Sequence, residues 1–240
     1  VKPLLGAAVL SAGQALAGDS VSIAKTLSDE DFYRAVSCGA SPGGACREAV
    51  RRWPQVLVCD LEVSIRYIAP GYPVWLYNKV STSLDNAIRE VNDAAAAVSV
   101  RRVADGEPAQ IRLYLPLTTV GGTVHGTGDT PPDGYQVPSA FFTLDEADGE
   151  ISGSVIVLPR SIFEFEVASV VLEELTQSLG LPFDLEGKAY SHKSIFDADS
   201  NALTELAEQD KRAVRRHYPA AEPCLVARLS IPSSTGSHPT

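Results

Sequence analysis

A chain of 240 residues that is 45% hydrophobic and 21% charged has the composition of a globular protein with one sizeable core. Its formal net charge of -10 makes the chain a poor candidate for nucleic acid or an anionic membrane surface, because phosphate binding needs clustered Lys and Arg. The one basic cluster, Lys211, Arg212, Arg215 and Arg216, sits among acids and reads as a solvated helix face.

The first 17 residues read as a signal peptide. Lys2 supplies the positive start, residues 4–16 form a short Ala/Leu-rich run, and Ala15-Leu16-Ala17 is a small-x-small cleavage site before Gly18. That run is too short to span a bilayer, and no interior segment replaces it. Export without a transmembrane segment is expected, to the periplasm or the extracellular space. Four cysteines come after it, Cys38, Cys46, Cys59 and Cys224, an even count that suggests two disulfides. Four cysteines allow three pairings. The preferred one joins Cys38 to Cys46 across "GASPGGA", and Cys59 to Cys224. The absence of Cys-x-x-Cys leaves a thiol zinc site unsupported.

Residues 18–55 read as an N-terminal appendage carrying the Cys loop and one short helix, "SDEDFYRAV", with Ser28 as its cap and acids in its first turn. Residues 56–224 read as the main domain. Leu61, Val63, Ile65 and Tyr67 alternate within a strand at 57–68. Leu84, Ile88, Val91, Ala95 and Val98 step by four and three through a helix at 81–98. A strand at 110–117 precedes a Gly/Pro-rich loop at 118–140, expected as a functional rim or as disordered chain. Two strands, 141–145 and 151–159, flank the turn "EADGE". A helix at 163–179 comes next, closed by Gly180 with Pro182 beyond it. The last helix is expected from Thr204, its cap, to Tyr218, and the tail at 225–240 is expected to be disordered. This order predicts an α/β (α+β) fold: one mixed twisted sheet backed by two helices, plus a C-terminal helix.

The stretch "VLEELTQSLGLPFD", 171–184, carries the most chemistry. At about 100° per residue, Glu173 and Gln177 lie one turn apart on one face, so their side chains converge. Glu174 leans toward Val167, Val170 and Val171, where burial would raise its pKa. The rhythm is that of His-Glu-x-x-His-x-x-Gly-x-x-His, with Glu173, Gln177 and Phe183 at the three ligand positions and only Glu174 and Gly180 retained.

Together with the chain from 185 to 218, this stretch resembles the metzincin branch of zinc proteases. Ser194-Ile195-Phe196 stands at the Met-turn, with Phe for Met, and Asp210, Val214, His217 and Tyr218 keep the spacing of the last helix. This resemblance implies a zincin-like fold over roughly residues 57–220. A closer resemblance is to a bacterial family of secreted proteins or lipoproteins, domain of unknown function 2927. It rests on Glu-Leu-Thr-Gln-x-Leu-Gly-Leu at 174–181, the Ser-Ile-Phe triplet, and Leu203-Thr204 before the last helix.

Zinc takes His, Cys or carboxylate ligands. Glu173 could ligate, Gln177 is a poor ligand, Phe183 is none, and Asp184 stands one position late, so neither metal nor cofactor is expected. Asp184, His192, Phe196 and Tyr218 are the cleft candidates that the resemblance brings beside Glu174. The expected function is a secreted, zincin-like pseudo-metalloprotease, non-catalytic, binding an extended peptide or an envelope protein along the edge strand "FFTLD". The alternative is a hydrolase, peptidase or glycan-acting, using Glu174 with a non-zinc metal or with none. Adjacent Glu173 and Glu174 do not face one substrate, so Glu174 would need Asp184, Asp197 or an acid of the 145–150 turn as its partner. The two readings separate on Glu174. An accessible pocket, a perturbed pKa and a convergent partner mark an enzyme; burial against backbone donors marks a relic. The oligomeric state is not legible.

Overall fold

A computed structural model describes residues 19–94 and 96–219; residues 1–18, where the signal peptide is expected, Ala95, Cys224 and the tail lie outside the described residues. The elements in chain order are β1 (Ser20–Ser22), α1 (Asp29–Cys38), α2 (Gln55–Val58), β2 (Leu61–Ile68), α3 (Val74–Asp93), β3 (Val100–Arg102), β4 (Ile111–Leu115), β5 (Phe141–Ala147), β6 (Glu150–Val157), α4 (Val167–Gln177), β7 (Asp184–Glu186) and α5 (Glu208–His217).

Period-two patterning builds the main sheet, of order β3-β2-β4-β6-β5. β3, β2, β4 and β6 are parallel, and β5 closes one edge as the antiparallel arm of a hairpin with β6. The fold is therefore α/β with a mixed sheet. Leu113, Ile156 and Phe142 join the core shared with α3 and α4, while their neighbours Tyr114, Val155, Val157 and Phe141 face the other way. That second face is covered by the long loop at 118–140. Val124 and Val137 are fully buried there, and the loop closes on itself through Thr123 and Gln136. Two apolar side chains and the sheet face they cover give this loop a packed structure, against the expectation of disorder, while Val120, Ser139 and Ala140 at its ends line the cleft described below.

Several boundaries move. Residues 57–60 are not strand: Pro54 starts the helical turn α2, accepting from the amides of Leu57 and Val58, and β2 begins at Leu61. α3 starts at Val74, behind Pro73, not at 81, and Leu76 and Val80 extend the apolar stripe of Leu84. It ends before Val98, because Asn92 bonds both the N–H and the C=O of Val100 at 2.8 Å and turns the chain into β3. α5 starts at Glu208, not near Thr204: Asp210 Oδ2 accepts from the Ala207 amide at 2.9 Å and so caps the helix.

Residues 19–55 do not hang off the domain. β1 pairs in parallel with β7, α1 packs on α5, and Phe32 is fully buried beside Tyr190 and Phe196. Ser28 caps α1, accepting from the Asp31 amide. Cys38 and Cys46 form a disulfide, as expected from the loop between them, and Cys59 is also disulfide-bonded. No helix among the described residues is long and apolar enough to cross a membrane.

Candidate functional site

α4 lays its apolar residues, Val167, Val171, Leu172 and Leu175, into the core against α3 and the sheet. Its remaining face carries Glu173, Glu174 and Gln177 into a cleft of about 430 Å³. The helix must stop and turn sharply after Leu179. Gly180 makes that turn at φ +100°, and a Cβ there would lie 2.3 Å from the Arg51 carbonyl oxygen and 2.9 Å from His217 Nε2. Only glycine meets both demands. The carbonyls at the end of α4 are held from two distant segments. Trp53 Nε1 donates to Ser178 O, and Tyr218 Oη donates to Leu179 O while accepting from the Trp53 amide.

Past the turn, chain alternation selects which residue reaches the cleft. Phe183 puts its ring against Gly39 of the α1 C-terminus, is 2% exposed, and donates its amide to Val36 O. The next residue, Asp184, opens β7 and faces the cleft, accepting from Gln177 Nε2 at 2.6 Å. Asp184, not Phe183, is thus the residue that the chain turns into the cleft. Phe183 offers no donor atom, and among the described residues no three His, Cys, Asp or Glu are grouped so as to hold a metal ion. Glu173, Gln177 and Phe183 together do not fit zinc, since only one of them carries an ionisable ligand.

A fourth acid arrives from the Ser194-Ile195-Phe196 turn. Asp210 on α5 pins that turn, accepting from Ser194 Oγ at 2.7 Å and the Ile195 amide at 3.0 Å. Burial raises the Asp210 pKa to about 6, and these donors pull against it. The pinned turn delivers Asp197 to the cleft wall, 2% exposed, its carboxylate accepting from the amides of His192 and Asp199.

The other cleft candidates lie elsewhere. Phe196 is fully buried against Phe32 and Tyr218 clamps the end of α4, so both support the site from behind. His192 is exposed, with its Nδ1 3.0 Å from Ser200 Oγ, and reaches the cleft only through its backbone bond to Asp197. The acids of the 145–150 turn do not join: Asp145 pairs with Arg112 and Glu146 with Arg51. Sequence reasoning misses the rim formed by Ile162 and Phe163, with Phe163 stacked on Phe165. Its signal is "IFEF", two phenylalanines two apart just ahead of a helix cap.

Electrostatically the cleft is one-signed. Glu166, Glu173, Glu174, Asp184 and Asp197 line it, and no Lys, Arg or His does so among the described residues. Burial pushes Glu173 well above the usual carboxylate range, reinforced by Asp184, Glu174 and Asp197. Burial does the same to Glu174, reinforced by Asp184. Asp184 is raised to about 7 by burial, partly offset by the Gln177 hydrogen bond. Glu174 is 5% exposed, and its Oε2 has no hydrogen-bond partner among the described residues. It is not tied to backbone donors. The group of acids can hold and exchange protons near neutral pH, or accept hydrogen bonds from a ligand that brings positive charge.

The comparisons with known proteins agree with one of the two resemblances carried by the sequence. No curated protein matches the chain. A family model described as "Protein of unknown function (DUF2927)" matches residues 83–221, more than half of the 240. The matched segment contains α4, β7 and α5, and with them all five acids of the cleft. The chain belongs to the DUF2927 family of proteins of unknown function.

Proposed function

We propose that this chain is an exported, zincin-like groove protein that takes up an extended peptide as an added strand on β5. The observation that carries the reading is the outer edge of β5. Ser154 and Leu158 donate their amides toward β4, so the odd-numbered residues of β6 serve β5, where they face Phe141 and Thr143. Phe142 and Leu144 then turn their backbone groups outward, and β5 makes no backbone bond beyond its hairpin among the described residues. Phe142 also lines the acid-floored cleft, so a strand added here would pass directly over α4. The zincin-like assignment draws on the same strand order, with its single antiparallel strand at the cleft edge and the helix bearing the degenerate motif coming after β6. Export is supported by the disulfide chemistry of Cys38, Cys46 and Cys59.

The test is selection of linear peptides from a displayed library against the purified chain, with amide hydrogen exchange on the selected complexes. Selected peptides should protect the amides of Phe142 and Leu144. Protection confined to other segments would overturn the reading.

A second reading, a hydrolase, is favoured by one observation. Glu174 meets requirements for a general acid: it lines the cleft, burial raises its pKa, and Asp184 is its convergent partner. Cleavage of the selected peptides by the wild type, lost in Glu174→Gln, would establish it. Intact peptides after prolonged incubation would leave the groove as a binding site alone.

A further inference from the structure

We infer that the acidic cleft receives an alkylammonium group, a lysine side chain of the peptide lying along β5. This deepens the groove reading and rests on it.

Three features lead there. The first is the unpartnered Oε2 of Glu174, a residue that is 5% exposed and lines the cleft. A buried acceptor without a donor costs about 1–3 kcal/mol, and a ligand N–H would relieve it. The second is the spread of the acids. They line about 430 Å³ and do not gather around one point, which suits an organic cation more than a bare ion. The third is the rim. Phe142, Ile162 and Phe163 give an apolar approach to the acidic floor, matching the methylene stem of lysine below its charged end.

The titratable groups that share the cleft with Glu174 are all acids. Glu166 and Glu173 come from α4 and the residue before it, Asp184 from β7, and Asp197 from the turn pinned by α5. β1, β5 and the 159–163 segment contribute no titratable side chain to the lining. Without a cation, burial and mutual repulsion keep part of this cluster protonated. A bound ammonium favours the ionised forms, so its arrival expels protons.

The experiment is calorimetric titration of the full chain at pH 7, in two buffers of different ionisation enthalpy. The probes are a blocked pentapeptide with a central lysine, its norleucine counterpart, and n-pentylamine. The lysine peptide should bind about tenfold tighter than the norleucine peptide, the effect of one charge-assisted hydrogen bond, and release about one proton. Glu174→Gln and Asp184→Asn, each verified as folded by circular dichroism, should lose that preference. Equal binding of the two peptides, or a preference retained in both variants, would overturn the inference while leaving the groove reading intact. Binding of neither peptide counts against the groove. In that case n-pentylamine decides: binding with proton release sustains an ammonium site, and no binding ends it.

Discussion

Gln177 Nε2 donates to Asp184 Oδ1 at 2.6 Å, so the last residue of α4 is bonded to the first residue of β7. The motif spacing points to Phe183, and the fold delivers its neighbour. This relationship re-aims any attempt to restore a metal.

Replacing Glu173, Gln177 and Asp184 together with His should create a zinc site, because Glu173 and Gln177 share one helix face and Asp184 already touches Gln177. Metal analysis should find about one zinc per chain, with Zn–N distances of about 2.0–2.1 Å by X-ray absorption. The parallel variant that carries His at 183 and Ala at 184 should bind none, since the 183 side chain packs on Gly39 and the Asp184 carboxylate, itself a zinc ligand by type, is gone. Zinc uptake by the second variant and not the first would show that β7 is placed differently.

Stability should rise as pH falls from 8.5 to 6.5. The folded pKa values of Glu173, Glu174, Asp184 and Asp210 are all raised, Asp184 to about 7 and Asp210 to about 6. Their contribution is fully present below the unfolded carboxylate range and is lost as pH rises through those folded values. His217 acts in the opposite sense. Burial lowers its pKa to about 3, so the unfolded chain takes up its proton first and stability is lost as pH falls below about 6.5. Over most of the interval from 8.5 to 6.5 the raised carboxyls outweigh His217, whose opposing effect enters only at its lower end. Thermal melts should show Tm climbing by several degrees over that interval, with the climb reduced in Asp184→Asn. A flat or falling Tm would contradict the burial of the cluster.

Asp210→Ala should be strongly destabilising although Asp210 lines no cleft. It accepts from Ser194 Oγ and the amides of Ile195 and Ala207, and the substitution strands all three donors. At about 1–3 kcal/mol for each stranded buried donor, the loss in urea unfolding should be about 3 kcal/mol or more. Asp210→Asn should lose less, because its amide oxygen still accepts. Indifference to both substitutions would mean that the 194–197 turn is held by other contacts.

The strands legible in the sequence are those with room for a period. β2, β4, β5 and β6 each run five residues or more, whereas β1, β3 and β7 have three and carry no readable alternation. The start of α3 is hidden because Val74 and Trp75 are exposed, 72% and 55%, which blurs the apolar stripe. Helix arithmetic places Glu173 and Gln177 on one face and sets Glu174 against the valines. It cannot choose between Phe183 and Asp184, because that choice depends on β7 pairing with β1, whose partners lie more than 160 residues away in sequence. The missing donor at Glu174 Oε2 is equally illegible, being a property of the surrounding packing.

The position of β2 bears on where this family's folding unit begins. β2 lies between β3 and β4, yet the family match starts at residue 83, beyond β2 and partway along α3. A fragment of residues 83–221 would have a gap in mid-sheet: β3 would have no strand beside it, and β4 would expose a parallel edge to water. It would also lack Trp53, one of the two side chains that hold the end of α4. The segment recognisable as the family is thus shorter than the segment that folds, and a protein trimmed to the match would be a poor vehicle for finding its activity.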